Sequence, residues 1–436
     1  MALPAIFGQL IVLIYNMADT FYVGRTNNPY MVGGTSLILP VFNVCIALAN
    51  LTGIGGGTLI SRLLGEDRSE EAKKVSAFTV YLSAVIAGVF SAVVFIFMGP
   101  ILNLLGASGY TFPYARQYAF CVIVLGAVPT VLSNVLANQL RSIGASKEAS
   151  IGITMGGLIN IALDPLFMFV ILPKGQEVLG VGIATLLSNC IACGYFFCTV
   201  YRIRQQSVIN FRVWDGLPET RSIHQVFYVG IPSAITALLF DIDYVVLDKL
   251  MALHGDIALA GVGIVLKAER LPLNVGIGIC QGVVPIIAYN YTANNRARMQ
   301  ETIRFSRTLG IIVGLISIVL YEIFAGNMIR LFISDPETVL YGTRFLRIRC
   351  LATPLMFMSF FTVYVFQGFG KGNIALFLGV TRWAVFNIPM LFLLNRILGM
   401  YGIVWAQTAG DILTVLVSLY MYRRFTRALA AQDQIK

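Results

Sequence analysis

A few oxygen-bearing side chains sit where so apolar a chain can least accommodate them. Asn16 and Asp19 lie three residues apart and Asn160 and Asp164 four apart, so each pair shares one face of a helix. Pro165 follows at once, and its missing N–H frees a carbonyl in the turn before it. Thr185 adds a hydroxyl on the next apolar run. Carboxylate, amide and hydroxyl oxygens are hard ligands, suited to Na⁺ or to a shared proton. The plainer reading of Asn160 and Thr185 is that they only join helices by hydrogen bonds. A carboxylate at the bilayer centre costs about 3 kcal/mol on insertion scales, so Asp19 and Asp164 are expected to face a cavity or a partner.

The second half of the chain has its own charges inside apolar runs: Asp241, Asp243, Lys267, Glu269, Arg270, Glu322, Arg382 and Asp411. Asp243 is placed to pair with Lys267 or Arg270, either as a scaffold or as a gating pair. Glu322 fits an interfacial position, and Asp248 and Lys249 reach a helix end by snorkelling.

The elements that must position these groups follow from composition. Of 436 residues 57% are hydrophobic and only 12% charged, about half the charged share usual in soluble domains. That surplus of apolar surface has to face lipid. Apolar runs at 1–23, 34–58, 76–98, 117–139, 149–172, 179–201, 226–248, 257–288, 305–325, 344–366, 374–395 and 399–422 are each long enough to cross a bilayer. The first run is too long for a signal-peptide core and lacks a basic start. The net charge of +10 resides mostly in short loops, which points to membrane topology rather than nucleic acid. Even-numbered loops and the C-terminal tail hold most of the Lys and Arg, so they and both termini are expected on the cytoplasmic side. Arg344, Arg347 and Arg349 run against that bias.

The expected fold is an all-α integral membrane protein of twelve transmembrane helices in two pseudo-symmetric six-helix bundles: an N-terminal bundle at 1–203, a cytoplasmic linker at 204–223 containing Asp215, and a C-terminal bundle at 224–436. Pro4 matches Pro232, Leu104 matches Leu331, Tyr114 matches Tyr341, Pro129 matches Pro354, Gly144 matches Gly370 and Asn160 matches Asn387, all near one offset of 227. Six helices per repeat leave both halves in one orientation, with a solute path between them. Gly53, Gly55, Gly56 and Gly57, and Gly276, Gly278 and Gly282, permit close helix packing. No strand precedes the first group and no Lys-Ser/Thr follows it, so it is not a phosphate loop. The seven cysteines, including Cys190 and Cys193, read as small buried hydrophobes.

Several stretches together resemble a known family. Tyr15-Asn16-Met17-Ala18-Asp19-Thr20-Phe21-Tyr22-Val23-Gly24-Arg25 is similar to the first-helix signature of the multidrug and toxic-compound extrusion (MATE) transporters. Ser61-Arg62-Leu63-Leu64-Gly65, Leu104-Leu105-Gly106-Ala107 with Ala115-Arg116-Gln117-Tyr118, and Leu140-Arg141-Ser142-Ile143-Gly144 resemble their later stretches. So do Asn160-Ile161-Ala162-Leu163-Asp164-Pro165 and Gly182-Ile183-Ala184-Thr185. Phe240-Asp241-Ile242-Asp243-Tyr244 and Gln281-Gly282 through Asn290-Tyr291 resemble the MepA- and DinF-like branch.

The resemblance implies a V-shaped pair of bundles that exports drugs by alternating access, driven by re-entry of Na⁺ or H⁺. It implies a cation-coupling site of Asp19, Asn160, Asp164 and Thr185, holding Na⁺ if that is the ion. It assigns Asn16, Asp243, Lys267, Glu269 and Gln281 to the substrate cavity or to coupling in the second half. The expected substrates are cationic or amphipathic, often aromatic, small molecules, with no cofactor beyond the coupling ion and no nucleic-acid partner. The expected setting is the lipid bilayer of the cell inner (plasma) membrane, multi-pass, as a monomer. A flippase for a lipid-linked oligosaccharide is the alternative, but it calls for a basic cavity where this cluster is acidic. A major-facilitator transporter also has two six-helix halves, yet its Asp-Arg-rich loop after helix 2 is absent. With only His224 and His254, and neither H-E-x-x-H nor G-x-S-x-G, an intramembrane enzyme is not expected.

Overall fold

A computed structural model describes residues 2–26, 28–212, 216–333 and 335–435; Asp215 of the expected linker lies outside them. Among the described residues there is no strand. The spans, numbered in chain order, are α1 Ala2–Gly24, α2 Pro29–Gly65, α3 Ser69–Ile96, α5 Ser146–Ile171, α6 Glu177–Ile203, α7 Thr220–Ala252, α8 Asp256–Thr292, α9 Arg296–Arg330 and α11 Gly372–Leu398. The last, α12, runs Met400–Ile435. Two further spans are each broken: α4 joins Phe112–Leu125 to Ala127–Ser142 at 48°, and α10 joins Pro336–Cys350 to Thr353–Gly368 at 49°. Counting each bent pair once gives twelve.

The bends have a chemical cause. Pro129 and Pro354 lack the N–H that would bond one turn back, and both stand two or three residues past the break. They occupy the same place in the fourth helix of each half. The break also corrects the expected start of the tenth span. It begins at Pro336, capped by Asp335, whose carboxylate accepts from the Thr338 backbone N–H at 2.8 Å. Arg344, Arg347 and Arg349 therefore lie inside the span rather than in a loop.

By packing, the chain forms two compact units. One is Met1–Leu238 with Gln281–Met299, and the other is Leu239–Cys280 with Gln300–Lys436. The division passes through α7 and α8 rather than along the chain at 203–224. The first stretch of α7 belongs with the first unit because it packs on α2 at backbone distance. A Cβ on Gly55 would strike the Val226 carbonyl, and one on Gly230 would strike the Leu51 carbonyl. The 204–219 connection is anchored there too: Val208 joins the buried cluster of Leu59, Ile60, Leu63, Val75 and Val226. The Glu71 carboxylate accepts the Glu219 N–H at 2.8 Å, and Arg68 Nη2 donates to Glu219 at 2.7 Å.

A larger cluster of the first unit joins α2, α4 and α6 around Ala49, Val135, Leu136, Phe196 and Val200. The second unit closes around Met251, Val262, Val265, Ile329, Phe345 and Ile403. All seven cysteines are free; five are buried as expected, whereas Cys190 and Cys198 point outward from α6.

Candidate functional site

The first cluster is positioned by glycines of α5. A Cβ on Gly157 would come within 2.7 Å of Ile11 and 3.1 Å of Tyr15, so only glycine lets α1 lie this close. On the other side a Cβ on Gly156 would come within 3.1 Å of Ala192, which brings α6 in. Asp19 of α1, Asn160 and Asp164 of α5 and Thr185 of α6 thereby converge. The Asn160 amide donates to Asp164 Oδ1 at 3.3 Å and, more weakly, to Thr185 Oγ1 at 3.5 Å. The Asp19 and Asp164 carboxyl groups lie beside each other, close enough for their charges to interact directly. Asp164 is fully buried, Asn160 and Thr185 are buried, and Asp19 is half-buried.

Two neighbouring carboxylates in an apolar bundle disfavour each other's ionised form. A proton or a cation between them would relieve that repulsion. Three buried oxygens here also lack a partner: Asp19 Oδ1, Asn160 Oδ1 and Asp164 Oδ2. A buried acceptor left unsatisfied costs about 1–3 kcal/mol. Unpaired carboxylate and amide oxygens beside a hydroxyl suit a hard monovalent ion. Among the described residues there is no group of three or more His, Cys, Asp or Glu fit to hold a metal ion, so the donor set is necessarily mixed.

Asn16 shares a face with Asp19 in sequence, yet it stands exposed, and its amide donates back to the Val12 carbonyl at 2.8 Å. Gln281 is engaged by a residue the spacing did not reveal: Gln9 Nε2 donates to its side-chain carbonyl at 2.9 Å, joining α1 to α8.

The second unit holds a different arrangement. Asp243 of α7 is buried and accepts from Asn387 Nδ2 of α11 at 2.7 Å, leaving its Oδ1 without a partner. This corrects the expected pairing with Lys267 or Arg270; both are exposed on α8. Lys267 stands outside the buried network for a simple reason: it is two residues from Glu269, and i,i+2 side chains point to different faces of a helix. Glu269 faces inward, and its carboxylate accepts from Arg349 Nε at 2.9 Å, Arg349 Nη2 at 2.8 Å and Gln407 Nε2 at 2.8 Å. A neighbouring pair has Arg382 Nε donating to Asp411 at 2.9 Å, with the guanidinium 4.0 Å over Phe360 and 4.3 Å over Trp383. Arg349 and Gln407 were not singled out by spacing. The usable signal was the breach of loop-charge bias at 344–349, which the structure now explains. Arg349 neutralises Glu269, Arg347 Nε lies 3.5 Å from Glu322, and Arg344 donates to the Tyr401 hydroxyl.

The MatE family model matches residues 4–166 and again 232–393. The chain belongs to the MATE transporter family. Two matches to one family model, 228 residues apart at their starts, also establish the internal repeat. This MATE chain is 30% identical over 420 residues to the multidrug export protein MepA of Staphylococcus haemolyticus (strain JCSC1435), covering 96% of this chain and 91% of that protein. It is equally 30% identical, over 419 residues, to MepA of Staphylococcus aureus (strain MSSA476), with the same coverage. In fold it matches a crystal structure of MATE in complex with MaL6, with a TM-score of 0.93 at 23% identity over 99% of this chain and 96% of that one. An outward-facing multidrug resistance MATE family transporter of the MOP superfamily matches with a TM-score of 0.93, at 23% identity over 99% of this chain and 95% of the other. The chain is thus a multi-pass membrane transporter, not an enzyme.

Proposed function

We propose that this MATE transporter exports cationic, aromatic or amphipathic drug-like molecules in exchange for Na⁺ or H⁺. The observation that carries the reading is the Asp19–Asp164 contact with its three unpartnered oxygens. Empty, the cluster holds negative charge in an apolar bundle, and a cation or proton relieves it. Coupling then requires that ion and drug favour different conformations by differential affinity. An ion entering the cluster reduces the field that attracts a cationic drug, and this opposition is what antiport needs. The MepA relatives, named as multidrug export proteins, support the substrate class. Asp243 is the second coupling candidate, since it is the buried acid of the second unit with no guanidinium on it.

The setting belongs to the same proposal: a monomer in the lipid bilayer of the plasma membrane with both termini cytoplasmic. Partners inside the protein for Arg344, Arg347 and Arg349 remove the exception to the loop-charge bias. An oligosaccharide-lipid flippase is not favoured, because the unsatisfied groups of the cluster are acceptors, not cations.

Transport in sealed vesicles tests this reading, with Na⁺ and pH gradients imposed separately. Ethidium uptake is expected to follow one of the two gradients. Asp19→Asn is expected to abolish it while the protein still reaches the membrane. Efflux at the wild-type rate in that variant sinks the site assignment.

A further inference from the structure

Transport leaves the outer surface of α6 without a role. Its exposed positions Leu187, Ile191, Gly194, Cys198 and Tyr201 recur at intervals of four, three, four and three, and so form one stripe down the span. At its end lies an open groove of 760 Å³ bounded by Phe197, Tyr201, Arg202, Arg204, Gln205 and Phe211. The far wall is the chain after α6, folded back. The Phe211 ring sits 5.1 Å from that of Phe197, and the Tyr81 hydroxyl donates to the Phe211 carbonyl at 2.9 Å. Arg204 lies over Tyr201, its Cζ 3.8 Å from the ring centre. Among the described residues no carboxylate ion-pairs with Arg202 or Arg204.

We propose that this groove binds the headgroup of an anionic phospholipid, with an acyl chain lying along the Leu187–Tyr201 stripe. Guanidinium groups bind phosphate oxygens in a two-pronged geometry. Stacking on Tyr201 pre-orders one of the two forks. Basic pockets where a span meets the membrane surface attract anionic headgroups. Solvated loop arginines have no wall opposite them; among the described residues these two face Phe211 and no carboxylate. The apolar stripe runs from the groove into the span, which a free phosphate has no use for and a diacyl lipid does. The occupant is therefore a lipid of the leaflet that this end of α6 meets.

The test is native mass spectrometry of the whole protein in detergent, titrated with phosphatidylglycerol or phosphatidylcholine. The wild type is expected to bind phosphatidylglycerol at a saturable site and to prefer it over phosphatidylcholine. The double variant R202Q/R204Q is expected to lose about 30-fold in that affinity, taking the usual contribution of two surface arginines. The control R423Q/R424Q, which removes two exposed arginines of α12 instead, is expected to keep it. Equal binding of the two lipids by the wild type overturns the proposal, and that comparison does not depend on any variant folding. So does an equal loss in both double variants, or displacement of the lipid by inorganic phosphate at similar concentration.

Discussion

Arg349→Met makes the sharpest test of how the second unit is held together. Glu269 accepts two bonds from Arg349, at 2.9 and 2.8 Å, and one from Gln407 at 2.8 Å. The two charged side chains are only 2% and 3% exposed. Removing the guanidinium leaves a buried anion with one neutral donor, and stranding a buried charge in this way costs about 3–5 kcal/mol. Replacing both partners by apolar groups of similar volume removes the stranded charge, and such replacements are often neutral or better. Arg349→Met with Glu269→Met is therefore expected to recover most of what Arg349→Met loses, a coupling of about 3 kcal/mol. In a unit of this size the single variant's loss is a fall in melting temperature on the order of 10 °C. Fluorescence-detected size exclusion of heated detergent samples reads both variants directly. A single variant that melts within a degree or two of wild type, or a double variant no better than the worse single, refutes the reasoning.

Four further outcomes follow from the geometry. Gly230→Ala places a methyl against the Leu51 carbonyl and is expected to cost about 1–3 kcal/mol by overpacking α2 against α7; an unchanged melting temperature counts against that contact. Arg68→Ala breaks an exposed pair with Glu219 and is expected to change stability by under about 1 kcal/mol, an effect that shrinks in high salt. Glu71→Ala removes the buried acceptor of the Glu219 N–H and is expected to exceed it, so a reversed order in thermal melts contradicts the anchoring of the 204–219 connection. The Asp335 carboxyl is held below its usual range by hydrogen bonds from Thr338, first the hydroxyl and then the backbone N–H. A lowered value means the cap stabilises the fold above the ordinary aspartate range and fades as pH falls through the lowered one. The gap in melting temperature between wild type and Asp335→Ala is expected to hold from neutrality down to about pH 4 and to close below it; a gap unaltered in stronger acid excludes the cap as its source.

Much of this was legible before any coordinates. Apolar runs of bilayer length marked the spans, and one offset marked the repeat, because both are periodic properties of a single chain. Asp19, Asn160, Asp164 and Thr185 were legible as a group because the apolar runs of α1, α5 and α6 leave few places for polar atoms to go. Partnerships between helices were not. Whether Asp243 meets Lys267 or Asn387 depends on the rotation of α8 and α11 about their own axes, and no local pattern specifies it. Arg349 was obscured by the break in α10: the run judged by hydropathy starts at Arg344, so the arginines looked like a loop edge, whereas the helix starts about two turns earlier at Pro336. Gln9 and Gln407 are neutral and common within spans, so they gave no electrostatic signal at all.

The two halves carry one scaffold with opposite electrostatic solutions. Asn160 and Asn387 occupy matching places on α5 and α11, and each amide nitrogen donates to a buried aspartate. In the first unit that aspartate faces a second carboxyl, Asp19, and oxygens of both acids are left unpartnered. In the second unit Glu269 and Asp411 are matched by Arg349 and Arg382, and only Asp243 is left to an amide. A bundle whose acids are already neutralised by permanent arginines gains little from taking up an ion. One whose acids face each other is relieved by a proton or a cation. If the repeat arose from a single ancestral bundle, the arginines of α10 and α11 neutralised the acids of one copy, Asp243 excepted, and left those of the other facing each other.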